Sequence, residues 1–183
     1  MSDDRSNDIA VVDLADVPRD ALADMLATFA PGEHGPREFA AAQGYCGVDA
    51  FVEFWARLRE GPWPQLGLVR TDSMILMRGR RALGEVLLRY STTPKLEING
   101  GNIGYSVRAD ERNKGYATLM LRAALARAAA GGIERALLTV RTDNPASLRV
   151  VAKCGGVAFD EVPFEDGINR RFWVPTGAER SSS

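Results

Sequence analysis

A mixed α/β fold is predicted by three observations. Ile103, Tyr105 and Val107 alternate with Gly104, Ser106 and Arg108 as a strand does, and ATLMLRAALARAAA from Ala117 is a strong helix former. Strand-like and helix-like segments also follow one another along the chain rather than falling into separate blocks. At 183 residues and 45% hydrophobic content, the chain fits one domain with a substantial core.

Residues 1–7 and 177–183 are polar and aperiodic, so both ends are expected to be disordered around a single domain of residues 8–176. Ile9 to Leu14 reads as the first strand, and Arg19 to Thr28 as a helix with Leu22, Met25 and Leu26 on one side. PGEHGPRE then interrupts the pattern. Val48 to Arg59 places Phe51, Phe54, Trp55 and Leu58 at helical spacing with Asp49 as a cap; this stripe reads as core, or alternatively as a wall of a substrate cleft. Two prolines keep GPWPQLG out of regular pairing. Gly67 to Met77 and Ala82 to Tyr90 form an antiparallel hairpin joined by RGRR. STTPKLEINGGN is a long polar connection, bent at Gly100 and Gly101, that leads into the strand ending at Val107. After the helix from Ala117 to Ala130, Gly131 and Gly132 end it, and Arg135 to Val140 is a further strand.

Composition excludes several function classes. With 23 Lys plus Arg against 24 Asp plus Glu, net charge −1 gives no general drive toward nucleic acid or an anionic membrane. No stretch approaches the roughly 18 apolar residues of a membrane span, and no targeting segment is seen. Cys46 and Cys154 form no CxxC pair, so no metal site and no disulfide framework is expected. A reducing cytoplasm is the expected setting.

VRADERNKGYAT, Val107 to Thr118, carries the most information, because it reads as strand end, basic turn and helix start. A helix begins with about four amides that lack intrahelical partners, and its dipole adds partial positive charge, so a phosphate fits there. Gly115 permits close approach, and Arg112 and Lys114 add charge. Taken alone, RNKGYA also reads as a solvated turn. A second constellation, RTDNPASLRVVAKCGGV, opens a helix from Pro145 to Lys153 with Asn144 as cap and Pro145 in the first position.

RNKGYA and DNPASLRVVAKCGG together resemble the GNAT superfamily of acyl-CoA-dependent N-acyltransferases over about Ile9 to Val174, and IGYSVRADERNKGYA with VVAKCGGV looks like a subgroup of predicted small acetyltransferases. The resemblance implies a mostly antiparallel central sheet flanked by helices and splayed at the acyl-CoA site. It also implies acetyl-CoA as co-substrate without a metal, and an amine of a small molecule or peptide as acceptor. Carried over by position, it puts Tyr105, Ser106 and Val107 beside the thioester and pantetheine. Arg112, Asn113, Lys114, Gly115, Tyr116 and Ala117 then hold the diphosphate, and Asn144 and Ser147 lie along the arm. A homodimer paired through a late strand edge at Arg170 to Val174 is a further expectation.

The implied chemistry is direct attack of a neutral amine on the acetyl carbonyl. Where the family carries a Tyr acid, seven residues after Asn144, this chain has Val151, and where some members carry a Glu base it has about Gly101. Both substitutions leave open a catalytically silent acyl-CoA-binding or sensing module. A nucleotide-binding regulatory domain is disfavoured, since neither GxGxxG nor a P-loop lysine with Ser or Thr occurs. Glu85 is the candidate base, aimed at the cleft from an adjacent strand, with Tyr105 and Glu97 behind it. Its other reading is an exposed carboxylate paired with Arg89. His34 reads as a loop residue, Cys154 as packed, and Arg122 and Arg127 as solvated, although one of these arginines could reach the adenosine 3′-phosphate.

Overall fold

The computed structural model describes residues 8–33 and 35–177; His34 lies outside the described residues, as do the expected disordered ends at 1–7 and 177–183 apart from Gly177. Strands and helices alternate as β1 (Ile9–Asp13), α1 (Arg19–Ala27), α2 (Gly35–Ala42), α3 (Val48–Glu60), β2 (Thr71–Arg78), β3 (Arg81–Arg89) and α4 (Pro94–Ile98). They continue as β4 (Ile103–Val107), α5 (Tyr116–Ala130), β5 (Arg135–Arg141), α6 (Pro145–Lys153), β6 (Val157–Phe164) and β7 (Gly167–Pro175).

Two antiparallel sheets result, ordered β1-β2-β3-β4 and β5-β7-β6. β2 and β3 are buried along almost their whole length because both faces are covered. One core lies between the sheet and α1 to α3, where Phe51, Phe54, Trp55 and Leu58 are all buried, so the aromatic stripe of α3 is core and not a cleft wall. The other lies against α5, whose Leu121, Ala124, Leu125 and Ala128 are buried as their spacing predicts.

Four elements differ from the sequence reading. α2 forms where an interruption was expected: Ala40 is fully buried and Phe39 packs edge-on against Phe54, 6.0 Å between centroids, so tertiary contact rescues a two-turn helix. α4 occupies the polar connection, started by Thr93, whose side chain accepts the Leu96 amide, and by Pro94. β2 begins at Thr71 rather than Gly67, because Gly67 turns at φ 66 and Trp63 bridges Leu68 instead. β6 was not anticipated. It lies at one edge of its sheet with Val157 and Phe159 exposed, while β7 is central, so Arg170–Val174 is not the free strand edge that was expected.

β4 and β5 belong to different sheets and meet at one joint. The Asn102 amide donates to the Leu137 carbonyl at 2.7 Å, and the Leu137 amide donates to the Asn102 side-chain oxygen at 2.8 Å. Gly101, at φ 56, makes this approach possible, since a Cβ there would stand 2.2 Å from the Leu137 oxygen. Beyond the joint the strands are unpaired, and a cleft opens.

Candidate active site

The β4–α5 connection is a short 3-10 turn, Ala109–Glu111, followed by two left-handed residues, Asn113 at φ 64 and Gly115 at φ 84. Asn tolerates that region better than most residues and Gly adopts it freely. Among the described residues, the amides of Asn113 through Ala117 make no backbone hydrogen bond, while Thr118 and Leu119 both donate to the Gly115 carbonyl. These unused donors form a concave nest at a helix N-terminus, the geometry that receives anions. A Cβ at Gly115 would meet nothing within 4 Å, so the approach is open.

Buried ion pairs hold the turn in place. Glu111 is 3% exposed and accepts from Arg78 at 3.1 Å, Arg81 at 2.5 Å and Lys114 at 2.8 Å. The Lys114 hydrogen bond, with the nearby arginines, holds its carboxyl below the usual carboxylate range. Arg108, also 3% exposed, ties the turn to Asp110 at 2.6 Å, to Asp24 of α1 at 2.8 Å and to the Ala82 carbonyl at 3.0 Å. The sequence reading missed Glu111, Arg108, Arg78 and Arg81. The acid–base density of RADER and RGRR is the signal in the sequence that points to them.

At the start of α6, the Asn144 side chain accepts the Ser147 amide at 3.0 Å, the predicted cap. The Tyr105 hydroxyl donates to the Ser147 carbonyl at 3.5 Å, which spans the gap between β4 and α6. Burial raises the Tyr105 pKa and keeps the phenol protonated.

These pieces surround one cleft of about 620 Å³. Tyr105, Ser106 and Val107 of β4 line it, with Arg112, Asn113, Gly115, Tyr116 and Ala117 of the loop and Asn144 and Ser147 of α6. Lys114 is the loop residue that turns away, held by Glu111. Arg112 donates through Nε to the Val107 carbonyl at 3.3 Å and pairs through Nη1 with Glu33 at 3.5 Å. Arg149 and Lys153 add positive charge on the α6 side. Phe29 and Glu33 are the cleft residues supplied by the segment before β2, and sequence reasoning had singled out neither.

Glu85 stands differently from both readings given to it. It is 1% exposed, not an exposed carboxylate, and it does not line the cleft. Its Oε1 accepts from Ser73 Oγ at 2.6 Å. Register pairs Glu85 with Ser106, so it lies directly across the strands from a residue that does line the cleft. Arg89 feels the Glu85 charge, which favours its protonated form. Burial pushes its guanidinium down to about 10, so it stays protonated at neutral pH, and it donates to the Gly100 and Gly101 carbonyls. Glu97 accepts from Thr92 at 3.0 Å, away from the cleft. Arg127 is not a solvated arginine: it pairs with buried Asp72 at 2.6 Å and with Asp13 at 2.8 Å, across the sheet from the cleft lining. Cys154 packs against the core beside α5, and burial raises its thiol pKa. Among the described residues, no group of His, Cys, Asp and Glu could hold a metal ion, and no helix is long and apolar enough to cross a membrane.

An antiparallel sheet parted beside an amide nest defines an acyl-CoA-type transferase architecture, and the comparisons agree. The family model described as acetyltransferase (GNAT) domain matches residues 19–157, and the chain belongs to that family. Solved structures share the fold at low identity. A Salmonella typhimurium protein, yncA, described with its cofactor acetyl-CoA, aligns at 12% identity over 97% of this chain and 97% of its own, with a TM-score of 0.60. RimL, a ribosomal L7/L12 alpha-N-protein acetyltransferase in complex with coenzyme A, aligns at 14% over 96% and 98%, TM-score 0.64. A spermidine N-acetyltransferase SpeG chimera from Vibrio cholerae aligns at 14% over 92% and 95%, TM-score 0.61. The sequence matches no curated protein.

Proposed function

We propose that the protein is an acetyl-CoA-dependent N-acetyltransferase that moves an acetyl group to a primary amine of a small molecule or peptide by direct attack. One observation carries the reading: Asn113 and Gly115 to Ala117 of the loop, the cleft-lining residues of β4 and the start of α6 converge on a single cleft. The residues present suit the co-substrate. Open space above Gly115 and unused donors receive a diphosphate, and the parted strands leave β4 backbone for a pantetheine arm. When bound, the co-substrate supplies an activated thioester carbonyl.

The chain supplies position and proton handling. The incoming amine must be neutral to attack, and an alkylammonium has a pKa of about 10.4. Ser106 faces the cleft with Glu85 behind it, a hydroxyl and a carboxylate placed to carry that proton away from the sheet's acceptor side. On the opposite side chain direction of β4, the Tyr105 phenol donates a hydrogen bond to the departing sulfur. Its hydrogen bond to the Ser147 carbonyl, at 3.5 Å, is long enough to be exchanged.

A second reading, a silent acyl-CoA-binding module, has its own support. Val151 is fully buried against Gly156, and Gly101 is pinned beside Leu137, so neither position offers titratable chemistry. Calorimetry with acetyl-CoA, followed by thiol release over amines, amino acids, polyamines and peptides, separates the two. Binding with transfer supports the enzyme; binding without thiol release from any amine supports the module; no binding of acetyl-CoA overturns both.

A further inference from the structure

We infer that Glu33 receives a second positive charge on the amine acceptor, and that Arg112 covers Glu33 until a diphosphate draws Arg112 away. The inference rests on the proposed acetyl transfer and names its substrate class, an amine that carries another cationic centre.

Glu33 and Glu111 are the carboxylates of the cleft lining among the described residues. Glu111 is buried and already serves three cations, so it has no capacity for an acceptor. Glu33 is different. Its side chain is 39% exposed, the Ala30 amide fixes Oε2 at 3.0 Å, and Oε1 meets Arg112 Nη1 at 3.5 Å. The backbone hydrogen bond from Ala30, with the Arg112 bond, lowers its pKa. It is therefore a lasting anion, a poor base for an ammonium but a suitable counter-ion for one.

Position separates Glu33 from the reacting nitrogen. Arg112 is tied through Nε to the Val107 carbonyl, at the outer end of β4. Tyr105 lies two residues further in, roughly 7 Å along a strand. A cation at Glu33 thus sits on the outer side of the cleft, beyond Arg112 and away from an amine that attacks beside Tyr105.

Arg112 belongs to the same loop as the amide nest. A diphosphate there offers more negative charge than one carboxylate, and an exposed ion pair is weak enough to yield. Capture of Arg112 uncovers Oε1, so binding of the coenzyme and of the dication help each other, and by linkage the help is mutual.

The test uses Glu33→Gln and the full chain. By calorimetry, the variant should bind acetyl-CoA about 2- to 5-fold more tightly, because Arg112 has lost its rival. In the dead-end complex with coenzyme A, 1,6-diaminohexane should bind roughly 10-fold more weakly to the variant than to the parent, and 6-amino-1-hexanol should bind equally to both. In turnover the loss should appear in KM for the diamine and not in kcat. Spermidine and a lysine-containing tripeptide then distinguish a polyamine from a basic peptide as the natural source of the charge. Unchanged or weaker acetyl-CoA binding, or a substitution that changes the affinities for diamine and aminoalcohol by the same factor, overturns the inference. If the parent transfers acetyl to nothing, the proposed enzyme fails, while the two binding measurements still decide this one.

Discussion

Asn102 and Leu137 exchange two hydrogen bonds: the backbone amide of Asn102 donates to the Leu137 carbonyl at 2.7 Å, and the Asn102 side-chain oxygen accepts the Leu137 amide at 2.8 Å. The remaining side-chain NH of Asn102 reaches the Arg89 carbonyl at 3.0 Å, so one buried amide group fastens β3, β4 and β5. It stands in for strand pairing at the last point before the sheets part. Asn102→Ala leaves the buried Leu137 amide without an acceptor and should destabilise the fold by about 2 to 4 kcal/mol. Denaturant unfolding measures this, and a loss under about 1 kcal/mol would show that water replaces the side chain.

Gly115→Glu should fold, because its Cβ points into open space, at a cost of about 1 to 2 kcal/mol for the left-handed backbone. The added carboxylate fills the amide nest with like charge. Acetyl-CoA affinity should fall at least roughly 100-fold, since several amide–phosphate bonds are lost together. A folded variant that binds acetyl-CoA as the parent does places the coenzyme elsewhere.

Tyr105→Phe keeps the ring that packs against the core and removes the hydroxyl facing Ser147. With the proposed hydrogen bond to the leaving sulfur gone, kcat should drop roughly 10- to 100-fold while acetyl-CoA affinity is kept. Burial raises the phenol pKa, so the parent should keep this contribution to beyond the ordinary tyrosine range near pH 10. Equal kcat values in parent and variant would remove Tyr105 from the mechanism.

Glu111 supplies a pH test of the loop. Its folded pKa lies below the usual value of 4.5, chiefly through Lys114, so its stabilising effect is fully present above about 4.5 and fades as pH falls through the lowered value. Unfolding free energy measured from pH 7 to pH 3 should therefore decline less steeply in Glu111→Gln than in the parent, from a lower starting stability. Parallel curves would mean that the cluster contributes no pH dependence.

The parts of the site written in local chemistry were legible in the sequence. Asn144 caps α6 and Gly115 starts α5 as their residue types require, because caps and left-handed turns depend on neighbours within four positions. Parts set by layering were not. Glu85 looks like a surface carboxylate in RALGEVLLR, and only the helices packed over β3 bury it. Phe29 and Glu33 reach the cleft from the far side of the sheet order, and no local pattern records that approach. β6 escaped notice for the reverse reason: exposed along almost its whole length, it lacks the alternation that burial on one face imposes.

Successive residues of β4 look in opposite directions. Tyr105 shares its face with Val86, above the α5 core, and Ser106 shares the other with Glu85, toward the N-terminal helices. A single strand thus acts as a partition with a door on each side; under the proposed transfer, donor and acceptor are housed simultaneously and neither must leave before the other enters. Such a layout has no need to park the acyl group on a side chain between two half-reactions, and it favours a kinetic pattern of intersecting rather than parallel lines.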